Sequence, residues 1–473
     1  MMPPASDETG YEILSYSPYQ LGCWLRQDGR TGTLPGLGGV PVLVRSEERD
    51  VSKITVVDGI MGSGKTSWSI QCINEKAFEN VLYIAPFLDE VDRIIGNTNR
   101  DFKQPEYKGG TKLENLNELL ACQYDIASTH ELFKKLTEES REYIKNGHYT
   151  LILDEVLSAI EPYDDIKKDD MKLLQDSGCI TIDKDGFVIW NQEKVDYDTQ
   201  YNRIKVLAEN RSLLYVNEKL LLWRYPPEIF SLFDEVYIMT YLFDASILKS
   251  YFDLYDIQYV KKSVMYQNGK YALSDFYVPD TQKYIPLLQI YNGKLNTNFS
   301  QKKNGLSVTW FNVQNKTNIK TIRQLKNNLN NYFRNILNAK SETILWTTFK
   351  DYKIKLRGKG YSKEFKVKQL KEVENAYGFL ACNARATNKY AKCYNLAYCV
   401  NIYMHPAITQ FFAQKGIKVD EDLYALSEMI QWIWRSQIRN GEKINIYIPS
   451  TRMRLLLKSW LDMELDYQQK EVA

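Results

Sequence analysis

Eight residues carry the first chemistry of this chain: Gly59-Ile60-Met61-Gly62-Ser63-Gly64-Lys65-Thr66, the spacing GxxxxGK[ST]. They follow the apolar run Ile54-Thr55-Val56-Val57 and open a helical pattern. Glycines at this spacing let consecutive backbone N–H groups turn inward around phosphates, and the helix start behind them adds partial positive charge. The motif points to a nucleoside triphosphate site. Its candidate binding residues are Gly59, Gly62, Gly64, Lys65, Thr66 and Ser67, with Lys65 reaching the β- and γ-phosphates and Thr66 holding Mg²⁺.

Hydrolysis needs a second half, an acidic pair at the end of another buried strand, and Tyr149-Thr150-Leu151-Ile152-Leu153-Asp154-Glu155 supplies one. Asp154 is the second candidate Mg²⁺ ligand, and Glu155 is placed to polarise the attacking water, the group that separates a hydrolase from a nucleotide binder.

The elements that must position these groups alternate. Thr66 to Phe78 reads as a helix, Val81 to Ala85 as a buried strand stopped by Pro86, and Leu88 to Ile95 as a helix. The segment Lys112 to Leu120, a strand Tyr124 to Ser128, a helix Glu131 to Lys145 and a strand Tyr149 to Leu153 continue the order expected of a parallel, doubly wound α/β sheet. About eighty residues then intervene before the strand Glu235 to Thr240, including a hairpin pattern over Cys179 to Trp190. A second α/β block follows, with strands Thr343 to Phe349, Lys392 to Tyr403 and Ile444 to Ile448, and a helix from Leu423 to Arg439.

At 473 residues the chain exceeds what one core usually fills. The expected division is an irregular leader over 1–50, a first lobe over 51–250 with an insertion at about 160–232, and a second lobe over 251–473. The leader has no Lys and no Asn and holds seven of the 24 glycines. A net charge of +2 excludes a global polyanion-attracting field, so nucleic-acid contacts must come from local patches. Seven scattered cysteines and three histidines leave few ligands for structural zinc. The odd cysteine count, without a secretory leader or an apolar run of transmembrane length, leads to the expectation of a bacterial or phage-infected host cytoplasm and no membrane partner.

This order of motifs resembles the superfamily-two, DEAD/DEAH-like helicases, and more loosely the origin-binding helicases of herpesviruses and helicase-like proteins of bacterial phages. The resemblance spans roughly residues 51 to 460. It implies two RecA-like lobes with ATP and Mg²⁺ in the cleft between them and single-stranded nucleic acid across the top of both. The first and second motifs match Gly59 to Thr66 and Asp154-Glu155. Nucleic-acid motifs look like Tyr83 to Phe87 with Pro86, Lys108 to Lys112 with Thr111, and Ala127 to His130 with Thr129 and His130. The usual Ser-Ala-Thr coupling motif is replaced by Met239 to Ser246. In the second lobe Trp346 to Lys350, with Thr348 and Lys350, resembles the fourth motif, and Asn383 to Asn388, with Thr387, the fifth. The sixth is similar to Gln431 to Arg439. Its arginines stand four apart here, where the family usually has three, so Gln431, Arg435 and Arg439 are expected on one helical face turned to the phosphates.

From Lys350 to Glu372 nine basic residues, Arg357 among them, face three acidic ones, with Tyr352, Tyr361 and Phe365 interleaved. Such a run suits phosphate backbones and unpaired bases. The reading reached is an ATP-dependent helicase or translocase on single-stranded or forked DNA, in preference to RNA, serving phage replication or recombination beside other replication proteins. Two alternatives stay open: a nucleotide-switched DNA-binding loader or initiation factor that does not unwind, and a packaging-motor ATPase.

Overall fold

The apolar runs of the first half become strands. In chain order these are β1 (Lys53–Asp58), β2 (Asn80–Ala85), β3 (Ile126–Thr129), β4 (Tyr149–Asp154), β5 (Ile160–Pro162), β6 (Ile180–Ile182), β7 (Val188–Trp190), β8 (Leu213–Val216), β9 (Leu220–Arg224), β10 (Glu235–Thr240), β11 (Tyr259–Gln267) and β12 (Lys270–Asp275). The computed structural model describes residues 53–107, 110–194, 199–217, 220–296, 304–358, 361, 378–384 and 389–461. The leader, Lys108 and Gly109, most of the basic run beyond Gly358, and 385–388 with Thr387 lie outside the described residues.

Seven strands form one sheet in the order β12-β11-β1-β10-β4-β2-β3, parallel except for the β11–β12 hairpin. Its inner strands β2 and β4 are almost continuously apolar because each face meets its own core. Leu82, Ile84, Leu151 and Leu153 enter one cluster. Their chain neighbours Val81, Tyr83 and Ile152 enter another on the opposite face. β5, β9 and β8 make a small antiparallel sheet, and β6 and β7 pair as the hairpin read from the sequence.

The remaining strands, β13 (Leu288–Ile290), β14 (Ile344–Thr347), β15 (Asn395–Tyr398) and β16 (Ile444–Tyr447), form a second parallel sheet in the order β13-β16-β15-β14. It is likewise covered on both faces: Leu345, Leu396 and Ile446 point into one cluster, Ile344, Trp346, Ala397 and Tyr447 into the other. The molecule is thus α/β with two parallel-sheet lobes in tandem.

Three expectations are corrected. The first lobe does not stop at residue 250, because β11 pairs with β1 and carries β12 with it, so its sheet ends at Asp275. The signal was legible: Asn268-Gly269, at φ of 52° and 80°, is the dipeptide that closes a two-residue hairpin. The expected helix Glu131 to Lys145 is broken, since Thr137 and Ser140 form reciprocal caps that start a new helix, Glu138–Asn146. The expected helix to Arg439 ends at Ile433, where the Ser436 hydroxyl donates to the Ile433 carbonyl at 2.6 Å and competes for the end of the ladder.

The lobes meet through apolar contacts. Ile60 and Tyr241 of the first lobe belong to the second lobe's core cluster, and Trp460 Nε1 donates to the Tyr241 hydroxyl at 2.9 Å. Phe411 and Phe412, on the helix Pro406–Gln414, pack into the core of the first lobe and its insertion. Among the described residues, no helix is long and apolar enough to cross a membrane.

Candidate nucleotide site between the lobes

β1 delivers the glycine loop at the C-terminal edge of its sheet, where α/β folds place ligands. Gly62 and Gly64 take φ of +85° and +91°, and Gly64 caps the helix Lys65–Glu75 in the left-handed conformation, which only glycine adopts freely. The loop is fixed at its base by Gly59 N–H donating to the Thr240 carbonyl at 3.0 Å and by Ser63 N–H donating to Ile60 at 3.1 Å. Lys65 Nζ donates to the Ile60 carbonyl at 3.0 Å and also to that of Gly59. Burial pushes this amine down to about 8 against the pull of Asp58, Asp154 and Glu155.

Asp58 was not singled out from the sequence. It is buried at the end of β1, and its two carboxylate oxygens accept from the backbone N–H groups of Leu242 and Phe243, each at 2.9 Å. Burial raises its carboxyl nonetheless. Asp58 therefore ties the phosphate loop to the segment that stands where the coupling tripeptide was expected, in which Leu242 sits at a left-handed φ of 55°.

β4 ends at Asp154, whose Oδ2 accepts from the Tyr83 hydroxyl at 3.0 Å. Burial, then the neighbouring Glu155, push its carboxyl up to about 7. Glu155 turns sharply at φ of +70°, a conformation that costs a non-glycine residue of order 1–3 kcal/mol and aims the side chain out of the sheet. There its Oε1 meets Nη2 of Arg435, from the other lobe, at 2.9 Å.

Arg435 lies in the turn after the helix Glu421–Ile433, and Arg439 in the short 3₁₀ turn Gln437–Asn440. Their shared orientation therefore comes from this turn and not from a helical face. Gln431, in the last turn of the helix, donates to the Ser427 hydroxyl at 3.2 Å. Burial and the nearby Arg435 lower the Arg439 guanidinium.

Gly62, Gly64, Lys65, Thr66, Ser67, Asp154, Glu155, Gln431, Arg435 and Arg439 line one interlobe cavity of about 230 Å³, whereas Gly59 lines a neighbouring one and Asp58 and Tyr83 stand behind the lining. A cradle with two left-handed glycines, a lysine held inside it and a half-buried carboxyl raised by its surroundings fit a magnesium nucleotide. Thr66 and Asp154 are the residues that would hold the metal.

The expected nucleic-acid residues are not in this cavity. Pro86 follows β2, and Thr129 ends β3 beside it in register with Ala85, so both sit on the same sheet edge as Asp154, with His130 next in chain. Thr111 is instead a helix cap: its hydroxyl accepts from Glu114 N–H at 3.1 Å while Glu114 accepts from Thr111 N–H at 2.7 Å. Thr348 is fully buried behind β14 and offers no surface to a strand. Lys350 is exposed and Arg357 half-buried on the same lobe. Besides Asp58, the sequence reading missed Tyr271, carried to the cavity by the Asn268-Gly269 hairpin, and it placed Tyr83 in a nucleic-acid motif without its bond to Asp154.

The model of the YonV middle domain matches residues 160–223, and that of the YonV C-terminal Rossmann-like domain matches residues 282–461. The SPbeta prophage-derived uncharacterized protein YonV of Bacillus subtilis (strain 168) is 42% identical over 430 residues, covering 87% of this chain and 99% of that protein. The chain belongs to the YonV family. The YonV middle domain falls on the antiparallel insertion, and the YonV C-terminal domain on the second sheet and its arginine turn. Solved structures with a similar chain course include an apo XPD, 14% identical with a TM-score of 0.47 and covering 87% of this chain and 96% of its own. Xpd4 of S. tokodaii is 12% identical with a TM-score of 0.46, covering 88% and 95%.

Proposed function

We propose that this chain is an ATP-driven motor on nucleic acid, a helicase or translocase acting on single-stranded or forked DNA in preference to RNA in phage replication or recombination. One observation carries the reading: the loop lysine and acidic pair of one lobe share a cavity with two arginines of the other, and Glu155 and Arg435 already touch across it. Lys65 neutralises the outer phosphates. Glu155, released from Arg435, accepts a proton from the water that attacks the terminal phosphorus as the bond to ADP breaks. Arg435 and Arg439 meet the charge developing on the transferred group, which ties chemistry to apposition of the lobes. Mg²⁺, when bound, supplies charge neutralisation at the phosphates.

The segment Met239 to Ser246, which departs from Ser-Ala-Thr, favours a second reading, a nucleotide-switched loader. ATPase and strand displacement measured together separate the two. The motor reading expects hydrolysis stimulated by single-stranded DNA, unwinding of forks, and loss of both in Lys65→Ala. Hydrolysis indifferent to DNA and RNA would overturn it; nucleotide-dependent DNA binding without unwinding would favour the loader.

A further inference from the structure

The sequence assigns no group to the nucleoside half of the ligand, and the β11–β12 hairpin offers one. Gln71, on the helix behind the glycine loop, grips both backbone groups of Tyr271: it accepts from Tyr271 N–H at 2.9 Å and donates to the Tyr271 carbonyl at 3.2 Å. β12 is thereby fixed to the helix, and the Tyr271 ring lies so close over Gly64 that a Cβ there would come within 2.2 Å of Tyr271 Cε1. The half-buried ring lines the cavity with Lys65, Asp154 and Arg439. Tyr266 stands beside it, ring centres 4.8 Å apart.

We propose that Tyr271 is the platform on which the base of a bound nucleoside triphosphate stacks, so that the site takes different bases with little discrimination. This rests on the phosphate-site reading above. An aromatic ring at the edge of the anion cradle meets the nucleoside as it leaves the phosphates, and stacking tolerates any base because every base has a π-face. The amide behind the ring is already committed: Gln71 bonds the Tyr271 backbone and, at 3.2 Å, Glu75.

The test uses the full chain and measures binding of ATP, GTP and inorganic tripolyphosphate to wild type, Tyr271→Phe, Tyr271→Leu and Tyr277→Leu. Wild type is expected to bind ATP and GTP alike. Tyr271→Leu, which keeps an apolar group over Gly64, is expected to weaken both by roughly 5- to 100-fold and leave tripolyphosphate unchanged, while Tyr271→Phe matches wild type. Equal loss of all three ligands in Tyr271→Leu, or loss of none, would overturn the platform. So would a selective loss in Tyr277→Leu instead, which would put the base in the neighbouring cavity of about 510 Å³ on the other side of the loop. Wild type that binds neither ATP nor tripolyphosphate would overturn the phosphate-site reading itself, a different result from any of these.

Discussion

The two parallel sheets share an architecture and differ at their C-terminal edges. Strands of the first end in Asp58, Asp154 and Thr240, with a glycine loop and a left-handed Glu155 beyond them. Strands of the second end in Thr347, Tyr398 and Tyr447, all buried, followed by the equally buried Thr348, Cys399 and Ile448. Among the described residues, the second lobe brings charge to the cavity only from a turn between a helix and β16, through Arg435 and Arg439. One sheet is thus furnished to hold a ligand, and the other to complete the site when it stands opposite. A fold alone does not make a site, and the difference lies in a few residues at strand ends.

The sharpest way to break this contrast is Arg435→Ala. If the second lobe completes the chemistry, turnover should fall by about 10³-fold or more with a smaller change in ATP affinity, as when an arginine is withdrawn from a transferring phosphoryl group. Steady-state kinetics with a parallel binding measurement would show it, and unchanged turnover would reduce the lobe to a scaffold. Removing the buried partner of Glu155 should cost up to about 3–5 kcal/mol of stability, so a melting curve is needed to distinguish unfolding from lost chemistry.

A middling effect is expected from Asp154→Asn. In the folded protein this carboxyl holds its proton up to about 7, whereas the unfolded chain releases it near the ordinary value of 3.8. The unfolded state thus binds fewer protons between these values, and stability of the nucleotide-free protein falls as pH rises through that window. Asp154→Asn removes that slope and should stabilise the free protein at pH 8 by about 1–2 kcal/mol, less than the full shift because the cleft admits solvent, and not at pH 4, where the folded carboxyl keeps its proton. Thermal melts at the two pH values read it, and a larger gain at pH 4 would reverse the assignment. At pH 8 the same variant should lose magnesium-dependent ATP turnover.

The smallest effect belongs to Thr111→Ala. If the hydroxyl serves only its helix, stability falls by about 0.5–2 kcal/mol and DNA affinity is untouched. A selective loss of DNA affinity, read by titration against single-stranded DNA, would return Thr111 to the surface contacts the resemblance suggested.

Legibility followed locality. The glycine loop, the acidic pair and the main parallel strands could be read because each is a contiguous pattern whose period or spacing has one physical cause. Asp58 could not be picked out, since its partners are backbone groups 184 and 185 residues away. Tyr271 was hidden differently: the Asn-Gly turn was on view, but nothing local says that its strand lies beside the helix Lys65–Glu75. Thr111 carries two readings, because Thr-x-x-Glu caps a helix as readily as a short motif binds phosphate, and the structure shows the cap. The arginines were found by resemblance, and their placement in a turn depended on Ser436 ending the helix early.

Ile60 sits in the glycine loop yet packs among the second lobe's aromatic residues, and Tyr241 does the same from the strand-end segment nearby. A fragment ending at Asp275 would retain every residue of the first sheet and still uncover both, with Met61 and Leu242 beside them. Such a half-molecule should be adhesive and poorly shaped at the cradle, because part of that cradle's support is borrowed from the far end of the chain.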